Sequence, residues 1–262
     1  MRYCLLLLFV LSSYTCFSEE SIHALLACDT FSDLRSSTKK DIAHLKTALR
    51  EIAAHTGLRL STHMLYGDTL TSKNVYAWAK KAQTLRADVL VFYYSGHGLR
   101  SHSQWPMLMF PSRKESFPSE KLYENLKTLH SRLIIILLDC CNNSPPSAYP
   151  PIFLATPKQA QVQKKHLPGL KPLFLKTQGI IMAVGASPGE AAYAFDNGSV
   201  FTNSFIKALK KKALIKHITW KGIFDEALHI CSPMQTPVSY LQISSIAPKK
   251  SLSPKSKRKP RG

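Results

Sequence analysis

Two short stretches hold residue types able to do chemistry together. Ser95-Gly96-His97-Gly98 sets an imidazole between two glycines, directly after the apolar run 88–94 (DVLVFYY). Asp139-Cys140-Cys141 sets a carboxylate and two thiols directly after 133–138 (LIIILL), the most hydrophobic run of the chain. A thiol attacks as its thiolate, and a nearby imidazole favours that form. Glycines on both sides of the histidine let the backbone turn sharply and leave room for another chain to approach. Parity indicates which cysteine reacts. Side chains alternate along a strand, so Asp139 and Cys141 share one side while Cys140 points the other way, into the core. The residues alone also allow a plain loop histidine, an inert buried thiol, and an Asp139 that only caps a helix or bonds nearby backbone.

Such a pair needs a scaffold whose strand ends meet. The chain alternates apolar runs with amphipathic segments, the pattern of a mostly parallel sheet covered by helices. Residues 22–28 (IHALLAC), a weaker 59–65, 88–94, 133–138 and 179–184 (GIIMAV) read as strands, 107–110 as a short extended piece and 238–243 as an edge strand. A helix capped by Ser37 or Thr38 runs through Ile52, with Ile42, Leu45, Leu49 and Ile52 at helical spacing. Further helices are expected over 73–84 after Ser72, over 120–129 after Ser119, and over 201–212 and 220–230. The stretch 144–178 has seven prolines and little periodicity, and reads as a long mobile loop or linker. In open parallel sheets, sites lie at the carboxyl ends of strands, where both motifs fall.

A strand ending in YSGHG, followed some forty residues later by a strand ending in DCC, resembles the caspase and metacaspase family of cysteine peptidases. The stretch IIMAVGASPGEAAYAF, then GSVFTNSFIKAL, is similar to the family's later strand and the helix after it, and the helix over 41–49 also looks similar. The resemblance covers about residues 21–214. It implies an α/β caspase-like fold: a mostly parallel central sheet of about six strands, with helices on both faces, within a domain over 19–247. It also implies a cysteine endopeptidase working through an acyl-enzyme. His97 matches the catalytic histidine and Cys141 the nucleophile, two residues after an Asp. The N–H groups of Gly98 and Cys141 match the oxyanion hole. Asp139 and Ser95 match residues lining the primary specificity pocket, where an acid favours Arg or Lys in a peptide or protein substrate. Asp29, just past the first strand, is a further candidate acid there. The sequence departs from the family at Asn142-Asn143-Ser144, where metacaspases carry His-Ser-Gly. That departure supports an alternative, a catalytically inactive homologue serving as a binding module.

No acidic cluster of the kind that binds calcium in many metacaspases is visible, and the ten histidines show no zinc spacing, so no metal or other cofactor is expected. Residues 1–18 read as a signal peptide, with Arg2 ahead of the apolar run LLLLFVL, which is too short to span a bilayer. Export to the periplasm or medium follows from that reading, and no transmembrane segment is expected in the mature chain because no other run is apolar for about 18 residues. Four cysteines then remain (Cys28, Cys140, Cys141 and Cys231), too few and too scattered for a disulfide scaffold. The formal charge is +19. Part of it lies in 249–262 (KKSLSPKSKRKPRG), inside an expected disordered tail over 248–262 that suits an acidic partner. A general polyanion binder is a third reading; it draws only on net charge, since no nucleic-acid recognition module is present.

Overall fold

The computed structural model describes residues 20–85, 87–111, 114–144 and 166–246. The expected signal peptide, the basic tail and residues 145–165 of the proline-rich stretch lie outside the described residues. In chain order the elements are β1 (Ser21–Cys28), α1 (Arg35–Thr56), β2 (Arg59–Tyr66), α2 (Ser72–Leu85), β3 (Val89–Ser95), β4 (Gly98–Leu99), β5 (Met107–Phe110) and β6 (Glu115–Pro118). Then follow α3 (Ser119–Lys127), β7 (Leu133–Asp139), α4 (Leu170–Lys176), β8 (Thr177–Val184), β9 (Ala194–Phe195), β10 (Gly198–Ser199), α5 (Val200–Lys212), α6 (Trp220–Cys231) and β11 (Val238–Ser245).

Six strands form the central sheet in the order β11-β8-β7-β3-β1-β2. Every neighbouring pair is parallel except β11 with β8. β3 and β7 are buried at every residue, which is why they read as unbroken apolar runs. Strand alternation divides the core in two. Leu26, Val91, Tyr93, Ile135 and Leu137 pack with α1, α4, α5 and α6 on one face. Leu25, Phe92, Tyr94, Ile136 and Leu138 pack with α2 and α3 on the other. Each layer hides its apolar stripe against the sheet, so both helical layers are held by burial.

The expected long elements are present, with ends displaced by a few residues. Two helix starts differ in mechanism. α1 begins at Arg35 without a side-chain cap, and Ser37 and Thr38 are buried within it. The Thr38 hydroxyl donates to the Asp29 carbonyl instead. α2 is capped by Thr71, whose Oγ1 accepts from Asn74 N at 3.1 Å, one residue earlier than expected. The stretch 144–178 is not a loop to its end. Leu167, Leu170, Leu173 and Phe174 are buried, and α4 docks in the first core, with Phe174 edge-on to Trp220. Its apolar residues lie at helical spacing, a short signal outweighed in the sequence by the prolines around it. Lys171 therefore sits in a packed helix.

Candidate active site

β3 and β7 are parallel neighbours with Ser95 in register with Asp139. His97 and Cys141 each lie two residues beyond that matched pair. The chain segments leave the sheet side by side: Gly96 N donates to Asp139 O at 3.2 Å, and Arg100 N to Asn143 O at 2.8 Å. Glycine is required at this crossing. A Cβ on Gly98 would collide with the Cys141 carbonyl oxygen and lie 2.7 Å from Cys140 Sγ. A Cβ on Gly96 would lie 2.6 Å from the Tyr94 hydroxyl oxygen and 2.8 Å from Asp29 Cβ. The Tyr94 hydroxyl is within hydrogen-bonding distance of the carbonyl oxygens of His97 (2.8 Å) and Met109 (2.6 Å), which ties the histidine loop to β5. The imidazole itself meets Asp33, with Nε2 2.9 Å from Oδ1.

β7 ends at Asp139, and the chain bends at Cys140. Cys140 is 2% exposed and packs with Ile136 and Leu138, whereas Cys141 is half-buried. The Ala192 amide donates to Cys141 Sγ at 3.3 Å. Burial pushes the Cys141 thiol above its ordinary value and the Asp139 charge adds to this, while the Ala192 amide opposes it. Burial lifts Cys28 to about 12 and Cys231 to about 11. Of the four free cysteines described, Cys141 alone is not fully buried.

Three carboxyls lie behind the strand ends. Asp139 is buried, and its Oδ2 accepts from Thr202 N at 2.8 Å and from Thr202 Oγ1, which in turn accepts from Tyr93. Burial pushes Asp139 up to about 8, with the Asp41 charge adding to the shift. Asp41 is fully buried on α1 and accepts from Ser95 Oγ (2.7 Å), Ser199 N (2.7 Å) and Ser199 Oγ. Burial raises Asp41 as well, against the hydrogen bonds from Ser199 and Ser95. With three donors against two, Asp41 is the member of the pair better able to carry charge, and Asp139 is the one to hold a proton. Ser95 is thus turned toward Asp41. Asp29 spends Oδ1 on the amides of Phe31 (2.9 Å) and Ser32 (3.2 Å), while its Oδ2 is buried without a partner.

The departure at Asn142 has a structural use. Asn142 is 0% exposed. Its N–H donates to Glu190 O, its carbonyl accepts from Gly189 N at 2.7 Å, and its Nδ2 donates to Gln104 O at 3.0 Å. The backbone of Asn142 thus ties the cysteine loop to the segment after β8, and its side chain ties the same loop to the segment before β5. Asp33, Asp41, Tyr94 and Ala192 were not singled out from the sequence. For Asp41 a signal existed: it lies four residues before Leu45 on the apolar stripe of α1, and an acid on such a stripe marks a buried polar site. Among the described residues, no three His, Cys, Asp or Glu side chains gather as a metal site.

The family model for the caspase domain of peptidase C14 matches residues 22–239, and the chain belongs to that family. Solved structures agree on the fold. A protein of Geobacter sulfurreducens matches with a TM-score of 0.55 and 16% identity, over 88% of this chain and 95% of its own. Caspase-1 of Spodoptera frugiperda matches with a TM-score of 0.51 and 12% identity, over 85% of this chain and 86% of its own. A search of curated protein sequences gave no match.

Proposed function

We propose that this caspase-family domain is a cysteine endopeptidase that cleaves after Arg or Lys. The observation that carries the reading is the Ser95–Asp139 register, which brings a histidine loop and a cysteine loop off neighbouring strands, with Gly98 lying against Cys141. Cys141 Sγ attacks the scissile carbonyl carbon, and its proton passes to His97 and then to the departing amine. Water hydrolyses the resulting thioester. The N–H groups of Gly98 and Cys141 stabilise the developing oxyanion.

Asp139 supports the basic preference. A carboxyl held protonated by burial releases its proton when a guanidinium or ammonium arrives to pair with it. Preference for Arg over a neutral isostere such as norleucine then grows as pH rises from 6 toward 8. The leader over 1–18 is read as directing export, so N-terminal sequencing of the released protein should begin at Glu19.

The test compares residues 19–262 with and without Cys141→Ala, using peptidyl-arginine and peptidyl-norleucine substrates and a peptidyl-arginine electrophile. Turnover and labelling confined to the protein with Cys141 are expected. Two equally silent proteins would sink the reading in favour of the binding module. That rival draws on the Ala192 amide seated on the sulfur and on the packed Asn142.

A further inference from the structure

We propose that Asp33 is the positioning residue of His97, so that the proton relay has three members, Asp33, His97 and Cys141. Its catalytic consequence rests on the peptidase reading above. A carboxylate only accepts hydrogen bonds, so the 2.9 Å contact puts the ring proton on Nε2. In the neutral ring Nδ1 is then the basic nitrogen, and it takes the proton from Cys141 Sγ as the C–S bond forms. The imidazolium keeps its Nε2–H on Asp33 and later gives the Nδ1 proton to the leaving amine.

The partnership is built into the backbone. Asp33 hangs from the turn between β1 and α1, and that turn is pinned at several points. Asp29 Oδ1 accepts from the amides of Phe31 and Ser32, Ser32 Oγ accepts from Leu34 N at 3.2 Å, and Arg35 N donates to Ser32 O at 3.2 Å. The base of the turn is stitched to the histidine strand: Cys28 is in register with Ser95, and Asp29 N donates to Ser95 O at 3.0 Å. Both ends of the Asp33–His97 bond are thus carried by paired strands, which fixes the ring plane before substrate arrives. Asp29 accordingly works through the turn that holds Asp33. Asp33 itself is 77% exposed at its side chain and fills no core space, so its removal leaves the packing intact.

The test uses the mature chain with Asp33→Ala, Asp33→Asn and Asp33→Glu. Nitrogen-15 histidine spectra read the tautomer, and steady-state assays on a peptidyl-arginine substrate read kcat and KM. The wild type should show the Nε2–H tautomer at His97, and Asp33→Ala a mixture. Because the pair is exposed, kcat should fall only about five-fold, with KM and thermal midpoint unchanged and part of the loss restored in Asp33→Glu. An unchanged tautomer in Asp33→Ala, or a changed tautomer with unchanged kcat, overturns the proposal. A wild type that turns over no peptide and takes no electrophile on Cys141 ends the peptidase reading alone, and the tautomer measurement still decides whether Asp33 sets the ring.

Discussion

Replacing Asp139 with Asn should stabilise the protein above about pH 4 and, on the peptidase reading proposed above, remove the preference for Arg or Lys. In the unfolded chain an Asp ionises near its ordinary value of 3.8, whereas in the fold burial lifts Asp139 to about 8. Between those values the folded state holds one proton more than the unfolded state. Stability from this group is complete below the unfolded value and is lost as pH rises through the folded one, at about 1.4 kcal/mol per pH unit. At pH 7 the loss sums to about 4 kcal/mol. Asn keeps the shape, and its side-chain oxygen still accepts from Thr202 N and Oγ1. The assay is urea unfolding of wild type and Asp139→Asn at pH 5, 6, 7 and 8. The advantage of Asp139→Asn over wild type should widen by about 1.4 kcal/mol per pH unit from pH 5 to pH 7 and level off toward pH 8. Parallel curves would refute the claim that this carboxyl is buried with a proton.

Other consequences follow from the same geometry. Alkylation of Cys141 by iodoacetamide should keep accelerating from pH 7 through 9 without a plateau, because its thiol is raised, while Cys28, Cys140 and Cys231 stay unmodified in the folded protein; peptide mapping by mass spectrometry reads both. Gly98→Ala should abolish electrophile labelling of Cys141 and lower the thermal midpoint, since the new methyl meets the Cys141 carbonyl oxygen. Asn142→Ala should cost about 2 kcal/mol in urea unfolding by leaving Gln104 O without its donor, and limited proteolysis should then cut the segment around Gln104 first.

The fold was legible because its strongest signals are buried parallel strands. Runs such as LIIILL and DVLVFYY have no solvent-facing residue to interrupt them, and their termini announce themselves at Asp139 and Ser95. The alternation along β7 is likewise a local property, and Cys140, one residue past the strand's end, still packs on the face of Ile136 and Leu138. The partners of the candidate site are long-range. Asp33 meets His97 across 64 positions, Asp41 meets Ser199 across 158, and Cys141 meets Ala192 across 51. Nothing local in a turn such as Ser32-Asp33-Leu34 tells an aspartate that bonds a distant imidazole from one that faces water. α4 was hidden differently, since its two buried turns carry Pro172 and follow Pro168.

The three acids behind the strand ends bear on which reading of the domain is preferable. A scaffold needs none of them there. Asp41 and Asp139 are both raised by burial, so each costs stability at neutral pH, and Asp29 carries an oxygen with no partner. Structural polar groups in a core are usually satisfied, and neutral residues would fill these positions at lower cost. Acids concentrated at the carboxyl ends of β1 and β7, beside a glycine-flanked histidine and the one half-exposed cysteine among those described, fit a site kept for charge. A basic side chain entering from solvent would repay the desolvation of Asp139, and a module that binds by surface contact alone would gain nothing from it. Asp139 therefore weighs toward a pocket for Arg or Lys more than the altered residues after Cys141 weigh against it, since the Asn142 side chain has its own use in tying the cysteine loop to Gln104.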